Sequence, residues 1–319
     1  MSPSWLDSQM RSLHAAFAAG RMPHALLIHE ATGAGGEWLA YWTAQLVLCT
    51  ERERAPCGQC PGCRAVLQRQ HPDLMRLAPL ADSTQIRIEQ VRELSADLSL
   101  TAHQGGYKVG IIAPADDMNR FAANALLKTL EEPPPATLLV LVASVPSRLP
   151  ATIRSRCLRL RIAAPPRAAA VAWLDSERGA ADWARVLEVL GDAPLIAAAA
   201  DPATVVGTAA EMRRELTELA GGAGDAAESA ERWSRSELPL RLACFENWLT
   251  DRVRAGLGVP DALPEVRASA HSRSIHLTIR ETFELLDAVR ELRSSFDVPL
   301  NRGVALEALL RRLAAREGA

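Results

Sequence analysis

The sequence predicts an α/β layer fold with a largely parallel sheet in its first half, followed by an all-helical second half. Short apolar runs at residues 26–28, 109–113 and 138–143 are bounded by turn or breaker residues. Such uninterrupted runs are what strands buried on both faces of a parallel sheet look like. Stretches with helical spacing at 38–49, 88–99 and 120–130 fall between them, and alternation of the two kinds requires a layered sheet. Beyond Pro165-Pro166 the strand signals fade almost completely.

The first strand, Ala25-Leu26-Leu27-Ile28, feeds into Glu30-Ala31-Thr32-Gly33-Ala34-Gly35-Gly36-Glu37. This has the outline of a strand, a phosphate loop and a helix start, but the charge is wrong. A working G-x-x-x-x-G-K-[ST] loop places a Lys on the β/γ-phosphates and a hydroxyl on Mg²⁺. Here Gly36 stands at the Lys position and Glu37 at the hydroxyl position, where its carboxylate would repel a triphosphate. Glu30 replaces the first Gly. The residues Gly33, Gly35, Gly36 and Glu37 thus form a degenerate phosphate loop, and no ATP is expected in it.

The strand at 109–113 sits where such a fold places its second signature, which ends in acidic residues that hold Mg²⁺ and polarise water. Ala113 and Pro114 fill those places, and Asp116 and Asp117 come a few residues too late. Their expected role is helix N-terminal charge. Two independent ATPase elements are therefore missing.

Between the first two strands lies Cys57-Gly58-Gln59-Cys60-Pro61-Gly62-Cys63, with Cys49 seven intervening residues upstream at the end of a predicted helix. Consecutive C-x₂-C spacings let thiolates converge on one ion, and Cys49, Cys57, Cys60 and Cys63 can close a tetrahedral Zn²⁺ site. Gly58 and Gly62 supply the tight turns this demands. An iron–sulfur cluster also uses C-x₂-C-x₂-C, but no Cys follows until Cys157 and no Pro follows Cys63. Structural zinc is the better reading. Downstream, His71-Pro72-Asp73 reads as a turn, and His24 and His29 beside the first strand read as structural. No Ser-His-Asp or HExxH arrangement is present.

The helix at 120–130 is stopped by Pro133-Pro134-Pro135, since Pro cannot continue a helix. After the strand at 138–143 comes Thr152-Ile153-Arg154-Ser155-Arg156-Cys157. Arg156 has two readings on its residues alone: a solvated surface Arg in an Arg-rich stretch, or a planar fork presented to a neighbour's γ-phosphate.

In the second half, residues 168–175, 181–190 and 194–200 read as three short helices ending near Asp201-Pro202. The remainder is helical, interrupted softly at Gly221-Gly222-Ala223-Gly224, with a loop around 256–264 and a last helix over 304–312.

With 319 residues the chain can hold two or three domains. Its net charge of −2 gives no global basic field for non-specific nucleic-acid binding. No run of about 18 apolar residues predicts a membrane span, and the N-terminus lacks a charged n-region and apolar h-region. A cytoplasmic location is expected, where six Cys are thiols or metal ligands rather than disulfides.

Several strings, in order, resemble the AAA+ subunits of the bacterial replicative clamp loader, part of the DNA polymerase III holoenzyme. They are His24-Ala25-Leu26-Leu27, the four-Cys module, His71-Pro72-Asp73, Asn124-Ala125-Leu126-Leu127-Lys128-Thr129-Leu130-Glu131-Glu132-Pro133-Pro134, and Ser155-Arg156-Cys157. The likeness spans about residues 22–166, and the C-terminal half is similar only in helical character apart from a weak likeness near 292–310. The ATP-hydrolysing gamma/tau subunits carry the same Cys module and Ser-Arg-Cys with both ATPase elements intact. Here both are broken, and Gly191-Asp192-Ala193-Pro194-Leu195 stands where an active relative places a nucleotide-sensing Arg. The chain is therefore similar to the non-hydrolysing branch of that family. The first Cys spacing departs by one residue from some relatives, which a loop should absorb.

The resemblance implies an AAA+ P-loop-type domain over 1–163 with an inserted zinc module, a small helical lid over 164–203, and a helical collar over 204–319. It makes Arg156 a trans arginine finger for a neighbouring gamma/tau subunit, and this chain a rigid stator without catalysis of its own. Polymerase activity would belong to the holoenzyme. Implied partners are gamma/tau and delta, with the sliding clamp and primed DNA reached through the complex and no membrane. The competing expectations are an active gamma/tau-like ATPase with an atypical loop, and a zinc-dependent nucleic-acid-binding protein.

Overall fold

The computed structural model describes residues 2–80, 83–103, 106–257, 277–294 and 301–314. Its first unit comprises Met1–Gly179 and Asp192–Ile196, and its second Ala180–Gly191 and Ala197–Ala319. The first begins with helix α1 (Asp7–Ala18), strand β1 (Ala25–Glu30) and helix α2 (Gly36–Leu48). Then come α3 (Pro61–Leu67), β2 (Leu74–Leu77), α4 (Ile88–Leu98) and β3 (Lys108–Ile112). It continues with α5 (Arg120–Glu131), β4 (Thr137–Ala143), α6 (Ala151–Arg154), β5 (Leu158–Ile162) and α7 (Arg167–Arg178).

The five strands form one parallel sheet in the order β2-β3-β4-β1-β5. Side chains alternate across the pleat, so β1 feeds two cores. Leu26 and Ile28 join Val140 and Val142 of β4 on the face covered by α1 and α2. Leu27 joins Leu139 and Leu141 on the face covered by α4 and α5. Burial on both faces is why β1, β3 and β4 read as unbroken apolar runs. Helix α5 starts where Asn119 accepts a 2.8 Å bond from the Ala122 N–H, which satisfies a donor that the first turn leaves free.

The edge strands β2 and β5 were not among the expected strands. Their exposed faces break the apolar run: β5 reads Leu-Arg-Leu-Arg-Ile, and β2 carries Arg76. Helices α1, α3 and α6 were also not among the expected helices; α3 and α6 have only 7 and 4 residues.

The second unit contains α8 (Trp183–Leu190), α10 (Pro202–Ala220), α11 (Ala226–Arg235), α12 (Leu238–Gly256), α13 (Ile279–Ser294) and α14 (Arg302–Ala314). Helix α9 (Pro194–Ala199) runs across the division between the units. Helix α10 starts where expected: Asp201 accepts from the Thr204 N–H at 2.9 Å, with Pro202 in the first turn. Within this unit α11 packs on α14, and α12 on α10 and α13. Trp233 and Phe245 meet edge to face at 6.1 Å in its core. The loop expected around 256–264 falls mostly outside the described residues.

Candidate functional site

The degenerate loop turns through Gly33 at φ +70° and Gly35 at φ +110° before α2 begins at Gly36. Both lie in the left-handed region that glycine occupies without cost. In a phosphate loop, the free N–H groups at this helix start receive an anion. Here Glu30 supplies it. Its Oε2 accepts from the Gly35 N–H at 3.0 Å and the Gly36 N–H at 2.6 Å. The chain's own carboxylate fills the cradle.

Burial raises the Glu30 pKa, opposed by the two amide bonds from Gly36 and Gly35, with Glu37 and Asp116 adding to the rise. The surroundings are tight. A Cβ on Gly36 would stand 2.7 Å from Val142 Cγ1 and 2.8 Å from Glu30 Cδ, and one on Gly33 2.7 Å from Ala193 Cβ. Leu195 N–H donates to the Gly33 carbonyl at 3.1 Å, and Trp5 Nε1 to the Ala34 carbonyl at 2.8 Å. The cavity left beside the loop is about 330 Å³, with Leu195 and Ile196 in its wall.

Glu37 also lines that cavity, but its carboxylate is engaged by Arg76, at 2.7 Å from Nε and 3.2 Å from Nη2, with Arg69 at 3.9 Å. Glu30 therefore competes directly for the phosphate position, and sequence reasoning had counted it only as a lost glycine. The expected dipole role of Asp116 is not what the structure shows. The element there is a three-residue 3₁₀ turn, Ala115–Asp117, too short for a macrodipole, and Asp116 Oδ2 accepts the Val145 N–H at 2.8 Å.

The four cysteines converge. The sulfurs of Cys49, Cys57, Cys60 and Cys63 all lie within 4.8 Å of one another, and Cys49 and Cys60 are 3.8 Å apart. Four Zn–S bonds of about 2.3 Å in a tetrahedron set sulfur separations of roughly 3.8 Å, so the donor set fits a closed zinc centre. Cys49 caps α2, and the other three sit around the start of α3. Backbone N–H groups of Cys60 and Cys63 point at Cys57 Sγ (3.3 Å) and Cys60 Sγ (3.4 Å), which favours thiolates. Burial opposes ionisation at Cys60, but bonds from Thr50 and Cys63 outweigh it and bring its pKa to about 5. Burial raises Cys49 and Cys63; a dication would offset that.

Gly58 makes its turn at φ +71°. Gly62 acts differently from the expected turn: it is helical, and a Cβ there would fall 2.4 Å from the Leu48 carbonyl oxygen. Its bareness lets the ends of α2 and α3 meet, which brings Cys49 to the other three.

Arg156 follows α6 on an exposed turn before β5. Its Nη1 donates to the Thr152 carbonyl at 3.0 Å, and Nη2 meets Glu131 Oε1 at 2.8 Å. Cys157 beside it is buried, which pushes its thiol up to about 11; it packs and stays protonated. The His71–Asp73 turn is structural as expected, and Asp73 is buried beside His103 (Nδ1 3.2 Å) and Lys108 (3.9 Å). The buried Lys108, paired with Asp97 at 3.0 Å, had no sequence signal.

A family model described as "DNA polymerase III, delta subunit" matches residues 5–166. The DNA polymerase III subunit delta' of Pseudomonas aeruginosa is 32% identical over 306 residues, covering 92% of this chain and 93% of that protein. The delta' subunit of Escherichia coli K12 is 41% identical over 174 residues, which is 54% of this chain and 52% of that protein. The tau subunit of the same organism is 34% identical over 146 residues, covering 46% of this chain and 22% of that protein. The fold and the degenerate loop together define an AAA+-type α/β domain joined to a helical region. The chain belongs to the delta' subunit family of DNA polymerase III.

Proposed function

We propose that this chain is a non-hydrolysing subunit of the clamp loader that completes the ATP site of a gamma/tau neighbour. The observation that carries the first half is Glu30 on the Gly35 and Gly36 amides: an incoming phosphate would have to displace a tethered anion, Gly36 offers it no cation, and the Glu37 carboxylate is already held by Arg76. The chain would then keep one conformation while its neighbours switch with nucleotide, as a stator does.

For the second half, Arg156 supplies the planar fork. Its pair with Glu131 is solvent-exposed on both sides, and such pairs contribute about 0–1 kcal/mol. Exchanging that carboxylate for a triphosphate in a drier subunit interface therefore costs little. The guanidinium would then stabilise charge developing on the transferred phosphoryl group. The four thiolates would hold one structural Zn²⁺, which braces the α2–α3 junction. In this reading 1–163 is the AAA+ domain, 164–203 the lid and 204–319 the collar that assembles with gamma/tau and delta in the cytoplasm. Sliding clamp and primed DNA are then reached through the complex.

The test is ATP hydrolysis by a reconstituted loader with clamp and primed DNA. Arg156→Ala should cut turnover by about 10³–10⁵ at that site with assembly intact. Unchanged turnover would refute the finger. Micromolar, Mg²⁺-dependent ATP binding coupled to turnover by the isolated chain would refute the non-hydrolysing role.

A further inference from the structure

The register of β1 and β5 places an unassigned feature on the opposite face of β1 from Glu30. Leu27 pairs with Arg159 and His29 with Arg161, and in a parallel ladder paired residues project to the same side. On that side, beyond the reach of α5, lies a cavity of about 550 Å³ lined by Arg154, Arg159 and Arg161 together with His29, Ser144 and Ser147. Its remaining wall is apolar: Leu27, Val145, Pro146 and Leu160. None of its lining residues is a carboxylate.

The charge there is uncompensated. Arg76, Arg156, Arg167, Arg185 and Arg241 each sit against an acid. Arg154, Arg159 and Arg161 form no ion pair among the described residues. Arg159 is instead aimed by the backbone, donating from Nε at 3.3 Å and Nη2 at 3.2 Å to the Arg154 carbonyl at the end of α6. Arg154 Nε is buried and has no hydrogen-bond partner. A buried donor left unmade is costly, and three guanidiniums around one concavity repel one another unless an anion enters.

We propose that this cavity is a second anion site, separate from the degenerate loop, which takes the phosphates of a nucleotide. The guanidinium forks match phosphate oxygens, and the two serines add hydroxyl donors. The apolar wall gives a nucleoside somewhere to lie, and the volume is that of a small-ligand site. The site does not depend on the role given to Arg156, which is not among its lining residues.

The experiment is calorimetric titration of the full-length chain at low ionic strength, without Mg²⁺. The probes are ATP, inorganic tripolyphosphate and a single-stranded deoxyoligonucleotide. Wild type should bind ATP at least as tightly as tripolyphosphate. The double variant Arg159→Gln/Arg161→Gln should weaken both by roughly tenfold or more, as expected for lost charge-assisted bonds. These two side chains are exposed on an edge strand, so the fold should survive, and circular dichroism verifies that. Arg159→Lys/Arg161→Lys keeps the charge without the fork and should fall between. Binding unchanged in the Gln variant would place the anion elsewhere and overturn the proposal, as would no binding of ATP or tripolyphosphate. Binding confined to the oligonucleotide would also overturn it, in favour of nucleic acid.

Discussion

Glu30 is the residue on which the loop's chemistry turns. Burial raises its pKa, so ionising it works against folding. A raised folded-state pKa on an acid means that its favourable contribution is complete below the unfolded-state pKa. That contribution fades as pH rises through the folded-state value. We expect wild type to lose stability as pH climbs out of the acid range toward neutral, and Glu30→Gln to lack that part of the slope. Urea unfolding across a pH series measures this; identical slopes would show that Glu30 ionises freely. The neighbouring glycine gives a second expectation. Gly36→Ala would press on Val142 and Glu30, and such overpacking costs about 1–3 kcal/mol. Neither effect could be anticipated from the sequence, where Glu30 is one mismatch in a motif.

At the scale of the element, the α2–α3 junction and its four thiols make one construction. We expect one equivalent of zinc by elemental analysis of protein prepared without chelators, and none in Cys60→Ser. Chelation should lower the melting temperature of the first unit, since metal binding to a preformed site adds to folding stability. Gly62→Ala should weaken metal retention even though it removes no ligand, because its Cβ would meet the Leu48 carbonyl. Full metal content in Gly62→Ala would contradict that account. The elements that the sequence made legible share one property: they are buried on a whole face or both. Strands β1, β3 and β4 and helices α2, α4 and α5 carry unbroken or periodic apolar patterns. The strands that escaped, β2 and β5, lie at sheet edges where arginines interrupt the apolar run. The Cys module was legible because ligand spacing is local. The arginines lining the cavity at β5 were visible only as an Arg-rich stretch, since strand pairing brings them beside His29.

For the whole molecule, the buried aromatics among the described residues, Trp183, Trp233, Phe245 and Trp248, all lie in the second unit. Trp233 is fully buried against Phe245 and donates to Glu215 at 3.1 Å, which also accepts from Ser229. Trp233→Ala removes that volume and leaves a carboxylate short of a donor, so a loss of about 3–5 kcal/mol is expected. Chemical denaturation followed by circular dichroism checks it. If residues 204–319 are the collar, the same substitution should reduce co-assembly with gamma/tau and delta in size-exclusion chromatography. Retained assembly with a destabilised unit would place the collar contacts elsewhere.

The tethered carboxylate has a consequence for reversibility. Glu30 is only six residues from Gly36, so it faces the loop amides at an effective concentration of order millimolar or more, independent of cellular nucleotide. Installing Gly36→Lys and Glu37→Ser would restore the lost cation and hydroxyl on paper. The new ammonium would nevertheless find Glu30 before any phosphate, and the loop would be locked more firmly than before. Nucleotide binding in this loop should require Glu30→Gly on top of the pair, so the loop would be hard to re-arm one substitution at a time.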